Sequence, residues 1–156
     1  MSAEEYLLFW TNFKEYIKVN HCQIEFKSPS RQYFQMSNLK GYDLKIDLCA
    51  SLGKSVKNKW NTRVELYGIK DKKEKQFEKY NYFKNQLDNM RKALPDYEID
   101  FRLVKEDENG ISWKLYIGTN DLILRKCDNV EIYKYYVKVL NRMAEAWKPF
   151  FELYKK

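Results

Sequence analysis

Residues 97–117 read YEIDFRLVKEDENGISWKLYI, and the architecture follows from them. Tyr97, Ile99, Phe101 and Leu103 alternate with Glu98, Asp100 and Arg102; beyond Asn109-Gly110, Ile111, Trp113, Leu115 and Ile117 alternate in the same way. A period of two puts successive side chains on opposite faces of a sheet. Asn-Gly readily supplies the positive φ angles of a tight turn. The stretch predicts an antiparallel hairpin with one apolar and one polar face.

Upstream the same period recurs. Leu44, Ile46 and Leu48 alternate with Asp43, Lys45 and Asp47, and Val64 and Leu66 alternate with Arg63, Glu65 and Tyr67, predicting two more half-buried strands. Tyr33, Phe34 and Met36 mark a further edge strand. Elsewhere the period becomes helical. Ser2 and Glu5 stand at capping-box spacing ahead of a stripe of Tyr6, Trp10, Phe13 and Ile17, in a helix expected to end near Asn20. Asp71 and Glu74 repeat that spacing before an inward set of Phe77, Tyr80, Phe83, Leu87, Met90 and Leu94, stopped by Pro95. A third helix starts near Asp128, with Glu131 following and Tyr133, Val137, Leu140, Ala144 and Trp147 inward; Pro149 should kink or end it.

The predicted order is α-β-β-(β)-α-β-β-α over residues 1–156, a single α+β domain. Its antiparallel sheet of about five strands carries three helices on the apolar face. Trp10, Phe13, Phe77, Phe83, Phe101, Trp113 and Trp147 are the expected core. Lys45, Asp47, Arg63, Glu65, Tyr67, Arg102, Lys114 and Tyr116 fall on the other face, expected to stay wet or to receive a partner.

A chain of 156 residues, 44% hydrophobic, suits one core. Charged residues, 33% of the total, interrupt every apolar run well before the roughly 18 residues needed to span a bilayer, so no membrane partner is expected. Met1-Ser2-Ala3-Glu4-Glu5 lacks the features of a secretory signal. Cys22, Cys49 and Cys127 are odd in number and form no C-x-x-C pair, which fits a reducing cytoplasmic location. His21 beside Cys22 offers two ligands where a structural metal site needs about four, so neither metal nor other cofactor is expected.

The catalytic motifs are incomplete. Gly53-Lys54-Ser55 resembles the end of a phosphate-binding loop, but Leu48 stands where its first glycine belongs. A lone histidine without a nucleophile elbow gives no triad. Asp43, Lys45, Asp47 and Glu65 place acids and a lysine on neighbouring strands, as a metal-dependent nuclease would. Yet Ser112 precedes Lys114 where an acid would be needed, and alternating charges are ordinary on a solvated strand. No catalytic residues are assigned, and the chain is expected to bind rather than catalyse, a divergent nuclease being the least favoured alternative.

The net charge is +7, and its excess is concentrated. Lys54, Lys57, Lys59, Arg63, Lys70, Lys72, Lys73 and Lys75 face only Glu65, Asp71 and Glu74, whereas Asp96–Glu108 holds six acids against Arg102 and Lys105. The eight cations are the candidate nucleic-acid-binding residues, because a hairpin tip and a helix N-terminus rich in lysine suit phosphates. Lysine attracts phosphate without reading bases, so the expected partner is DNA or RNA held with little sequence preference. Trp60, Tyr67, Tyr82 and Tyr116 lie off the core stripes and are available for stacking. An exposed strand edge would serve a protein partner instead.

Phe9-Trp10 with Phe13, Arg63-Val64-Glu65-Leu66-Tyr67, Phe77 with Phe83 and Leu87, and Trp147, Pro149 and Phe151 form a pattern spanning most of the chain. It resembles the bacterial domain of unknown function DUF4268. The resemblance implies an accessory domain of restriction or defence systems, often fused to nuclease-like modules, and hence a nucleic-acid context. It transfers no catalytic residues.

Overall fold

The alternating segments become strands and the stripes become helices. A computed structural model describes residues 1–39, 41–52, 60–69 and 71–155. The chain runs α1 (Ala3–Val19), β1 (Phe34–Asn38), β2 (Leu44–Ala50), β3 (Thr62–Gly68), α2 (Lys73–Ala93), β4 (Glu98–Asp107), β5 (Gly110–Thr119), α3 (Asn129–Ala146) and α4 (Lys148–Phe151), then a 3-10 turn at Glu152–Tyr154. The sheet order is β1-β2-β3-β5-β4, and every neighbouring pair is antiparallel.

One face of the sheet, bearing Leu44, Ile46, Leu48, Val64, Leu66, Trp113, Leu115 and Ile117, shares a core with residues of all four helices. Ser2 caps α1 through its side chain, and Glu5 returns the bond in a complete capping box. Buried aromatic donors then fasten elements together. The Tyr136 hydroxyl donates to the Cys49 carbonyl at 2.6 Å, Tyr133 to Phe9 at 2.6 Å, and the Trp147 indole to Met90 at 3.0 Å. Each bond spares a buried polar group the cost of lying unpaired.

Four expectations are corrected. Proline ends α3 at Trp147, but Pro149 occupies the first turn of α4, where its missing N–H costs nothing, so the described residues form four helices. The N-cap of α2 is Lys72 without a side-chain bond, because Asp71 accepts from the Lys72 N–H instead. Phe77 is 42% exposed: Lys79, Phe83 and Met90 define the buried stripe, and Phe77 lies outside it, packed on Tyr80. Phe101, on the other side of Tyr80, is half-buried and stacks on that ring at 5.4 Å.

The β4–β5 turn is centred one residue earlier than Asn109-Gly110, since Asp107 and Gly110 are already paired. Asp107 stabilises it by accepting from the Asn109 N–H at 2.8 Å. Gly110 has φ 155°, a backbone conformation that side-chain-bearing residues rarely adopt, and a Cβ there would also lie 2.6 Å from Gln76 Oε1, the oxygen that accepts the Ile111 N–H. At the sheet margin, β4 is partly blocked by its own neighbours. Arg91 donates to the Ile99 carbonyl at 3.1 Å, the Phe101 N–H donates to Asp100, and a bulge follows between Leu103 and Lys105. Such devices discourage strand addition. Among the described residues no helix is long and apolar enough to cross a membrane.

Tyr136→Phe should lower stability by about 1–2 kcal/mol, because it removes the partner of a buried carbonyl. Tyr82→Phe, at a half-buried position, should change it by less than about 0.5 kcal/mol. Urea unfolding of both variants checks the contrast; equal effects would count against the role given to the Tyr136 hydroxyl.

Candidate functional site

The strand register builds a polar plate on the face opposite the core. Asp47 lies opposite Glu65, Cys49 opposite Arg63, and Lys45 opposite Tyr67, while Glu65 lies opposite Tyr116 on β5. Arg63 Nε donates to Glu65 Oε1 at 2.8 Å, and Lys114 Nζ donates to Glu65 Oε2 at 2.9 Å. The Tyr67 hydroxyl donates to Asp47 at 3.1 Å. Lys114 also stands 5.6 Å over the Tyr67 ring, and Arg102 stands 5.6 Å over Tyr116.

The middle of this face, at Asp47, Arg63 and Glu65, is not a wet surface, whereas Lys45, Tyr67, Arg102, Lys114 and Tyr116 around it are half-buried. The Arg63 and Glu65 side chains are each 5% exposed, so their charges are mutually compensated inside the protein. Burial lifts the Asp47 carboxyl to about 6; the Tyr67 hydrogen bond opposes the shift and the Glu65 charge adds to it. Burial also pushes the Cys49 thiol well up, which leaves it a poor nucleophile. Both Glu65 oxygens already hold cationic side chains, so the paired acids expected of a nuclease are engaged within the fold. Among the described residues no group of three or more His, Cys, Asp or Glu is placed to hold a metal ion.

Where β3 leaves the sheet, the plate opens into a recess of about 550 Å³ between the end of β3, the β4–β5 hairpin and α2. Lys45, Lys79, Lys105 and Lys114 line it, with Tyr67 and a single carboxylate, Asp107. Asp107 is tied to Lys105 at 3.0 Å. Lys79 is buried, its Nζ 3.4 Å from the Asp43 carbonyl and 5.4 Å from the centre of the Tyr154 ring. Gln76 and Lys79 belong to α2, whose start carries the exposed Lys72, Lys73 and Lys75 within two turns of them. The helix N-terminus adds a partial positive charge.

Of the eight basic residues singled out from the sequence, Lys72, Lys73 and Lys75 are exposed together, and Lys54, Lys57, Lys59 and Lys70 lie outside the described residues. Arg63 is withdrawn from that set by its buried bond to Glu65. One stacking candidate is likewise corrected. Trp60 is buried, its indole donating to Glu98 at 2.9 Å and its ring filling the space over Gly118, where a Cβ would lie 2.5 Å away. Tyr82 packs on Phe83 and Tyr154. Lys79 and Lys105 are not among the binding candidates the sequence singles out, although Lys79 lies one helical turn before Phe83 and so shares its buried face.

Two tests follow. Arg63→Ala should cost about 3–5 kcal/mol by leaving Glu65 buried with one partner fewer; a loss typical of a surface lysine would show the pair to be solvated. Asp47 gives a pH dependence. Its folded value is raised from 3.8 to about 6, so between these limits the folded state keeps a proton that the unfolded state releases. Stability should therefore fall as pH rises through that window. Between about pH 4.5 and about pH 7, Asp47→Asn should lose less stability than the wild type, by on the order of 1–2 kcal/mol. Superimposable pH profiles would contradict the assignment.

Comparison with known proteins bears on the whole domain. Neither a curated protein nor a solved structure matches the chain. The family model for DUF4268, a domain of unknown function, matches residues 6–151. That span takes in all five strands and reaches from α1 to the end of α4. With nearly its full length matched, the chain belongs to the DUF4268 family of domains of unknown function.

Proposed function

We propose that this domain is a non-catalytic binding module that holds nucleic acid by its phosphates at the end of the sheet. The supporting observation is the recess, where four lysines face one carboxylate beside the exposed Lys72, Lys73 and Lys75. Lysines are mobile point charges suited to phosphate, and neutralising phosphates releases counterions and supplies affinity without base reading. The half-buried Tyr67 on the recess wall offers a ring to a base. Engagement of Asp47 and Glu65 by Tyr67, Arg63 and Lys114 supports binding over hydrolysis. The inferred setting is the bacterial cytoplasm, in a restriction or defence system; the family resemblance and three unpaired cysteines support it.

A protein partner is the second reading, favoured by the exposure of Phe77, Leu103 and Val104. Phe77 lies one helical turn from Tyr80, and Leu103 two residues on from Phe101, so they extend the Tyr80–Phe101 stack to the surface. With the β4 edge partly blocked, such a contact would use side chains rather than strand addition.

Fluorescence anisotropy with labelled DNA and RNA over a range of salt tests the first reading. Log affinity should fall linearly with log salt, by about 0.9 per phosphate contact on duplex DNA and about 0.7 on single strands. Replacing Lys72, Lys73 and Lys75 with Ala should weaken all sequences alike and flatten the slope. Absence of binding at about 50 mM salt, where phosphate attraction is strongly expressed, would overturn it in favour of the protein partner.

A further inference from the structure

We infer that the recess at the end of the sheet takes a terminal phosphate monoester in preference to an internal phosphodiester. This rests on the phosphate-binding reading above and assigns it a ligand class. The first argument is shape. A recess of about 550 Å³ falls within the roughly 300–1,000 Å³ of small-ligand pockets, and β2, the end of β3, the β4–β5 hairpin and α2 all contribute to its walls. The Gln76 bond to the Ile111 N–H joins two of those walls. A continuous strand would need both an entrance and an exit, whereas a strand end needs only to enter.

Charge is the second argument. Lys45 forms no ion pair with a carboxylate among the described residues, Lys79 is held by the neutral Asp43 carbonyl, Lys105 is tied to Asp107, and Lys114 is shared with Glu65. The lining therefore carries cationic charge that its own acids do not balance. A monoester brings about −1.5 to −2 near neutral pH against one negative charge for a diester, and Coulomb attraction scales with that charge. Exposed lysines on α2 have no such selectivity, because they meet any phosphate along a strand. The recess thus selects, and Lys72, Lys73 and Lys75 add attraction common to all strands.

The test uses the full chain and two single strands of one sequence, labelled at the 3′ end and carrying either a 5′-phosphate or a 5′-hydroxyl. The phosphorylated strand should bind about tenfold more tightly, near 1.4 kcal/mol. Lys45→Gln combined with Lys105→Gln should bring the ratio close to one, whereas the Lys72, Lys73 and Lys75 alanine variant should weaken both strands and preserve the ratio. Thymidine monophosphate as competitor separates the sources. Displacement of the phosphorylated strand marks a free monoester as sufficient, and resistance marks the strand end as the ligand. Equal binding of the two strands by the wild type would overturn the inference and leave the proposed function standing; binding of neither would overturn both.

Discussion

Glu65 is held between Arg63 and Lys114, and the polar half of the molecule is organised around that contact. One oxygen binds a neighbour on the same face of β3, and the other binds β5 across the ladder. Charges this deeply enclosed are tolerated only when paired, so any shift of β3 against β5 would leave one of them stranded. The contact accordingly holds register on the face where apolar packing does not act. It also withdraws Arg63 from the surface and sets Lys114 over Tyr67, at the entrance to the recess.

The two sheet faces therefore do different work. On one, aromatic side chains bind the helices through packing and through hydroxyl and indole donors aimed at strand and helix carbonyls. On the other, Trp60 closes over Gly118 and bonds Glu98, while the charged pairs fill the middle of the plate. The recess lies where the halves meet: α2 contributes Gln76 and Lys79 from the packed side, and β2 and β5 contribute Lys45 and Lys114 from the polar side.

The fold was legible because its signals are local. Alternation in β2, β3, β4 and β5, the Ser2–Glu5 capping box and the prolines at Pro95 and Pro149 each act within a few residues, and five strands resulted. Errors arose where long-range packing decides. Phe77 has the right spacing for a buried stripe but is 42% exposed, and the hairpin turn is centred on Glu108-Asn109 rather than on Asn109-Gly110. The site was less legible still. Alternating charges in Arg63-Val64-Glu65 look the same in sequence whether solvated or locked together, and only the cross-strand neighbour Lys114 distinguishes the cases. The recess joins residues from β2, α2, β4 and β5 that no motif links, which is why Lys79 and Lys105 were not foreseen.

The central claim, that the lysine-lined end of the sheet is the binding surface, is tested most directly by mapping amide chemical-shift changes as a short single-stranded oligonucleotide is titrated in. The account predicts changes confined to Tyr67–Ile69, the first turns of α2, Lys45 and the β4–β5 hairpin around Lys105 and Lys114. Changes centred on α1, β1 or α3, with the recess silent, would contradict it.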